Sequence, residues 1–160
     1  KHPNPQPYPR FEGICTAFAH NIEKLMVHFA TEFGHSADVN QAEVSYINII
    51  PVDEFSDASS WLSIWNDLQL NMEALNLNFS EVIRDDENKP FARLRHEIQS
   101  VFAMDGKSKA LRLSLTYRGK PNGNDIASAI AFLAGGRDAI VTRFGEITTK
   151  SAHKKWGVVQ

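Results

Sequence analysis

Four arginines occupy alternating positions in two segments whose apolar residues also alternate. Arg93 and Arg95 belong to the first segment, and Arg112 and Arg118 belong to the second. Successive side chains of a β-strand point to opposite faces, so this even spacing predicts all four guanidinium groups on one face of a sheet, called here the arginine face. Guanidinium groups bind phosphate oxygens. The arginine face is therefore the first candidate binding surface.

The other polar residues expected on the arginine face are amides, hydroxyls and one carboxylate. They are Asn76, Asn78, Ser80, Glu97, Gln99, Ser114 and Thr116. Sheets that bind single-stranded nucleic acids stack the bases on exposed aromatic side chains, and this face has none. Three interpretations stay open: a face in solvent, a face covered by a further segment of a longer protein, and a face that binds a ligand or nucleic acid.

A second candidate is Arg137, which falls in the apolar stripe of a predicted helix. A charge removed from water destabilises the fold unless it is paired. Glu81 and His96 lie on the apolar side of their strands by parity. We therefore expect Arg137 to meet Glu81 or a backbone carbonyl as a structural pair, with Glu81 and Arg137 as candidate binding residues. A cleft containing Glu81, His96 and Arg137 would instead indicate an active site.

Recognisable catalytic and metal-binding motifs are absent from the sequence. It has no G-x-x-x-x-G-K-[ST] phosphate loop, no G-x-S-x-G and no H-E-x-x-H. Cys15 is the only cysteine and lies at the edge of an apolar helical stripe, where a thiol is usually a small buried hydrophobe. His20 and His28 are two helical turns apart, which is not metal-ligand spacing. We therefore assign no catalytic residue, no metal site and no cofactor.

The arginine-bearing segments belong to a predicted antiparallel meander. Period-two alternation predicts three strands, over 75–80, 93–102 and 111–118. Their inward side chains include Leu77, Ile98 and Leu113, and the Asp-Gly pair at 105–106 predicts a turn. A further strand over 42–50 is apolar at both parities near its end, which predicts a central strand covered on both faces.

Apolar residues at helical spacing predict two helices in the first half of the chain. One spans 11–33 and ends at Gly34, which suits the left-handed C-terminal position. The other spans 58–70 and is capped by Asp57. Trp61 and Trp65 lie on the apolar side of this second helix and mark a packed surface or a contact.

The second half of the chain predicts one long helix followed by a short one. The long helix begins near Asp125 with Asn124 as its cap. Gly135 and Gly136 interrupt it, so the helix either packs very closely there or kinks. A hydroxyl at 148 or 149 then caps a last helical turn that ends near 157.

Length, composition and element order predict a single α+β domain over 11–160, after a Pro-rich lead-in over 1–10. A chain of 160 residues is of single-domain size, and a 42% hydrophobic share excludes long disorder. The formal net charge of −2 gives no general attraction to nucleic acid. The element order predicts a two-layer sandwich, with an antiparallel sheet of about four strands and helices packed on one face.

Several short motifs are shared with a known family. They are Tyr-Ile-Asn at 46–48, Tyr-Arg-Gly at 117–119, Gly-Arg at 136–137 and FGEITTKSAHKKWG at 144–157. By these motifs the chain resembles a sporadically distributed bacterial family of conserved hypothetical proteins of unknown function. The resemblance implies no activity or cofactor. It implies that the chain is the carboxy-terminal half of a longer protein, because family members have a preceding strand-rich half.

These observations predict a non-enzymatic protein-interaction or ligand-binding module that acts through a protein partner or as a homo-oligomer. The alternative is nucleic-acid binding through the arginine face. A single cysteine fits a reducing, cytoplasmic setting. No apolar run reaches eighteen residues, so we expect no membrane partner.

Overall fold

The computed structural model describes residues 10–65, 71–104 and 106–157, which form a four-stranded antiparallel sheet with helices on one face. This confirms the predicted α+β sandwich. The elements in chain order are α1 Phe11–Phe33, β1 Ala42–Val52, α2 Ala58–Trp61, β2 Asn76–Arg84, β3 Pro90–Phe102, β4 Lys109–Gly119, α3 Ile126–Ile147 and α4 Lys150–Lys155. The predicted lead-in over 1–10 lies, except for Arg10, outside the described residues. So does Asp105 of the predicted turn.

The two sides of the sheet follow the predicted alternation. The strand order is β1-β4-β3-β2. Leu113 of β4 is the register partner of Ile98 in β3, and both side chains are fully buried on the inner face, beneath the helices. Arg93 is exposed and Arg112 is half-buried on the opposite side. Period-two spacing therefore assigned the inner face and the arginine face correctly.

The prediction that the 42–50 strand is central is wrong. β1 lies at the edge of the sheet, next to β4, and only Ile50 of its side chains is buried. Ile47 and Ile49 point to the arginine face and are 56% and 57% exposed. A strand that is apolar at both parities is normally covered on both faces. Here the covering helices lie on one face only, so the outward isoleucines remain in contact with solvent.

α3 lies directly on β1 and β4 and is continuous through both glycines. A Cβ atom on Gly136 would lie 2.5 Å from Cδ1 of Tyr117 and 2.9 Å from Cγ1 of Val44, so the helix packs closely rather than kinking. The N-cap is Asp125 and not Asn124, since the Asp125 carboxylate accepts the backbone N–H of Ser128. This hydrogen bond also lowers the pKa of Asp125.

α1 has the predicted bounds but packs more weakly than its sequence suggests. Gly34 has the predicted left-handed conformation, with φ of 71°. None of the helix residues is buried, and its main packing is against α3 rather than the sheet. Its apolar stripe is wider than the surface that α3 covers, so Ile14, Phe18 and Leu25 are left largely exposed.

The predicted 58–70 helix is shorter than expected over its described part. α2 forms one turn and ends because Leu62 turns into an extended conformation, where it is fully buried and bridges to Thr148. Asp57 accepts the backbone N–H of Glu54 instead of capping α2. Residues 66–70 lie outside the described residues. α4 confirms the predicted last turn, with Thr149 as its cap.

Candidate functional site

The strand register brings the four predicted arginines to one face. Arg118 of β4 is the direct partner of Arg93 in β3, and Arg95 lies opposite Thr116 in the next outward-facing row. Arg112 lies six residues before Arg118 on the same strand. The helices of the described residues pack on the other side of the sheet. No helix of the described residues therefore covers the arginine face.

Two arginines of this face are paired and two are not. Arg95 contacts Glu97 at 2.5 Å, while Arg118 donates to Gln41 at 2.5 Å and lies 3.6 Å from Glu43. Within the described part of the chain, Arg93 and Arg112 have no hydrogen-bond or ion-pair partner. The face positions of the four strands hold no aromatic residue. The face therefore offers unpaired positive charge without a surface for base stacking.

The structure does not pair Arg137 with Glu81. Arg137 donates to Asp138 at 2.8 Å, its guanidinium lies over the ring of Phe11, and its side chain is 39% exposed. Glu81 is bound instead by Arg143 of α3, at 2.5 Å. Arg143 lies six residues, nearly two helical turns, further along α3 than Arg137. Glu81 therefore has the kind of partner that was predicted, but from a different residue.

Glu81 also binds His96, across two neighbouring strands of the inner face. Its Oε1 atom lies 2.7 Å from Nε2 of His96, and the ring of Phe79 stacks on the His96 imidazole at 4.3 Å. His96 is fully buried, and this desolvation lowers its pKa in spite of the Glu81 carboxylate. The neutral imidazole then donates Nε2–H to Glu81.

Glu81, His96 and Arg143, called here the inner cluster, do not have the geometry that would indicate an active site. Arg137 is not brought to Glu81 and His96, and His96 has no exposed surface. Nδ1 of His96 is buried without a partner. The cluster can pair charges between β2, β3 and α3, and we interpret it as structural.

The free edge of β1 is a functional candidate that the sequence analysis missed. β1 pairs with β4 through an unbroken register of eleven residues, and its other edge pairs with no strand of the described residues. Ile47 and Ile49 stand beside this edge on the arginine face. Their alternation with inward-facing Tyr46 and Asn48 was visible in the sequence, but apolar residues at both parities were interpreted as a sign of burial.

Two other features bear on ligands. A groove of about 350 Å³ lies at one end of the sheet, and its lining residues are Gln41, Pro90, Phe91, Ala92, Arg93, Arg118 and Gly119. Within residues 10–65, 71–104 and 106–157, no three His, Cys, Asp or Glu residues are grouped to hold a metal ion, and no helix is long and apolar enough to cross a membrane.

Comparison of the chain with protein-family models, with curated proteins and with solved structures found no match.

Proposed function

We propose that the chain is a non-enzymatic protein-interaction module that binds a protein strand along the free edge of β1, and that this strand is β1 of a second copy. The observation that carries the proposal is the free eleven-residue edge flanked by Ile47 and Ile49, each more than half exposed. We also propose, from the resemblance and the single cysteine, that the chain is part of a longer cytoplasmic bacterial protein.

An unpaired edge strand presents a row of free N–H and C=O groups, which another strand can satisfy. Proteins usually protect such an edge with charged side chains, above all lysine, with proline, with a bulge or with an inward-facing charge. β1 has no lysine and no bulge, its only charged residue is Glu43, and its proline comes at the second-last position. The backbone of β1 is therefore available for pairing over most of its length.

A second copy matches this edge by symmetry. If two β1 strands pair antiparallel about Asn48, each Ile47 lies opposite Ile49 of the second copy. Both isoleucine pairs lie on the arginine face, and the two Asn48 amides meet on the inner face. Apolar cross-strand pairs contribute roughly 0.2–1 kcal/mol each beyond the ladder hydrogen bonds. The product is one continuous sheet built from both copies.

Arginine repulsion does not oppose this arrangement. The nearest outward arginine, Arg112, lies on β4, one strand in from the edge. Across two joined sheets, the two Arg112 residues are separated by three strand spacings, about 14 Å. That distance exceeds the screening length of about 8 Å at physiological salt. The interface is therefore apolar at its centre, with the positive charge to either side.

Multi-angle light scattering between about 5 µM and about 500 µM tests the proposal. We expect the 18.0 kDa chain to reach twice its mass at the high end. Ile47→Lys should keep it monomeric, because it places a charge at the strand edge. Val82→Lys is the matched control: Val82 is an exposed β-branched residue on the same face of the opposite edge strand, and its variant should still dimerise.

A wild-type chain that stays monomeric across this range contradicts the proposal. So does a dimer that Ile47→Lys leaves intact, since the interface would then lie elsewhere. Circular dichroism of both lysine variants ensures that a change in mass is not a loss of fold.

The second candidate function is nucleic-acid binding through the arginine face, which the unpaired Arg93 and Arg112 favour. The affinity for short RNA or DNA should then fall steeply with salt, because phosphate contacts release counterions. Arg93→Glu or Arg112→Glu should abolish binding. Binding that ignores both changes rejects this candidate.

A further inference from the structure

We propose that Arg93 and Arg118 form a binding site for a phosphate group at the end of the arginine face. This site is separate from the β1 edge, and it goes beyond the proposed protein-interaction function. Its ligand class is a small dianionic oxyanion, either free phosphate or the phosphate group of a small metabolite.

The two guanidinium groups are held together by the sheet itself. Arg118 and Arg93 are direct register partners on the neighbouring central strands β4 and β3. The Cβ atoms of such partners lie about 4.5–5.5 Å apart, and like charges placed there repel each other. An anion between the two side chains converts this repulsion into two attractive contacts. The backbone register therefore prearranges a pair of cations before any ligand binds.

The hydrogen-bond inventory leaves donors free for that anion. Arg93 is exposed and has no partner among the described residues. Arg118 donates one Nη2–H to Oε1 of Gln41 at 2.5 Å, which orients its planar fork. A guanidinium has five N–H donors, so Arg118 retains donors for a ligand. Bidentate contact with phosphate oxygens is the geometry that this fork favours.

The local charge is positive even after the nearest carboxylate is counted. Glu43 lies 3.6 Å from Arg118 and neutralises part of its charge. Lys120 follows Gly119 at the end of β4, is exposed, and has no side-chain partner in the described part of the chain. Counting the β2–β3 turn next to Pro90 as well, with Arg84 and Lys89 against Asp85, Asp86 and Glu87, this end of the sheet still carries a small excess of positive charge. The preference for phosphate rests on the paired guanidinium groups, because a phosphate dianion offers oxygens to both at once.

The same two arginines line a concave surface. Arg93, Arg118 and Gln41 border the groove of about 350 Å³, together with Gly119 and residues 90–92 of β3. A groove of this size admits a phosphate group with part of the molecule that carries it. Arg112 provides a contrast on the same face. It is also unpaired, but it lies six residues away along β4, which is about 20 Å, and it borders no part of this groove.

Isothermal titration calorimetry with inorganic phosphate, at constant ionic strength set with sodium chloride, tests the site. We expect saturable binding in the millimolar range and a loss of at least about tenfold in affinity for Arg93→Ser and for Arg118→Ser. Arg112→Ser is the matched control, because it removes an unpaired arginine from the same face, and its affinity should stay within about twofold. Thermal unfolding of each variant confirms that the fold is retained.

Three results overturn the proposal. The first is no saturable heat up to about 20 mM phosphate. The second is an equal loss in Arg112→Ser, which would indicate diffuse attraction to the whole face. The third is equal binding of acetate, which would show that the site does not prefer a dianion. Repeating the titration with Ile47→Lys measures phosphate affinity in a chain whose β1 edge is blocked. An unchanged affinity would show that the phosphate site does not depend on β1 pairing.

Discussion

The two edges of the sheet are built differently. β2 carries Glu81 on its inner side, an irregular register at Ile83 and Arg84, and mainly polar residues on its outer side. β1 is longer, pairs with β4 without interruption and exposes two isoleucines. An inward-facing charge disfavours pairing with a second strand, and β2 has one in Glu81, whereas the inward residues of β1 are uncharged. The extra residue of the irregular register, Phe91, lies on β3.

The difference extends to how each edge is attached to the helices. α3 holds β1 by close packing, with Gly136 against Val44 and Tyr117. The same helix holds β2 by charge, with Arg143 bound to Glu81. The apolar contact with α3 involves no charged residue of β1, whereas the contact with β2 is made by its inward-facing carboxylate. Of the two edges, β1 is therefore the better suited to pair with another strand.

The largest change in the free energy of unfolding is expected where α3 meets β1. Gly136→Ala places a Cβ atom against the Tyr117 ring and should lower the free energy of unfolding by about 1–3 kcal/mol. Gly135→Ala is the control, because beyond its own helical turn nothing lies within 4 Å of its added Cβ, and it should stabilise the helix by about 0.5–1 kcal/mol. Urea unfolding measures both changes. Equal effects at the two glycines would contradict the close packing.

The next largest change in the free energy of unfolding is expected at Glu81, through which β2 is bound to α3. Glu81→Gln removes the carboxylate that His96 and Arg143 share, and we expect a loss of about 1–2 kcal/mol because the site is partly exposed. Glu97→Gln breaks the Arg95 pair on the open face and should cost less than about 1 kcal/mol. If the two losses in urea unfolding are the same, the inner cluster does not anchor β2.

His96 should make this anchor pH-dependent. Its folded pKa is lowered by burial, while Glu81 raises it and Arg143 lowers it to a smaller extent. Near pH 6.5 the unfolded chain therefore binds a proton at this histidine that the folded chain does not yet bind. The free energy of unfolding then falls as the pH drops from about 7 through 6.5, and it becomes constant below the folded pKa. His96→Gln should lose this slope in thermal unfolding, and His28→Gln, on exposed α1, should keep it. An unchanged slope in His96→Gln would show that its burial does not govern the pH response.

The smallest change in the free energy of unfolding is expected for residues on the outer side of β1. Ile49→Thr should change the free energy of unfolding by less than about 0.5 kcal/mol at concentrations where the chain is monomeric. Its neighbour Ile50 is buried, and Ile50→Thr should lower the free energy of unfolding by about 1–2 kcal/mol. Chemical unfolding of the two variants compares the outward and inward positions of one strand. A large loss for Ile49→Thr would mean that the open face is covered.

Much of this layout was predictable because it depends on local rules. Alternation between polar and apolar residues assigned Arg93 and Leu113 to opposite faces, and glycine preference located the end of α1. The edge position of β1 was not predictable from its own residues, since it depends on which strand β4 meets. The partner of Glu81 was not predictable for the same reason. Whether Arg137 or Arg143 reaches Glu81 depends on how α3 crosses the sheet, and it is Arg143 that does.

Amide hydrogen exchange of β1, measured at low and at high protein concentration, tests the central claim most directly. We predict that the β1 amides that point away from β4 become protected as concentration rises, while the amides of β2 do not change. Exchange of β1 that is the same at both concentrations would contradict the account.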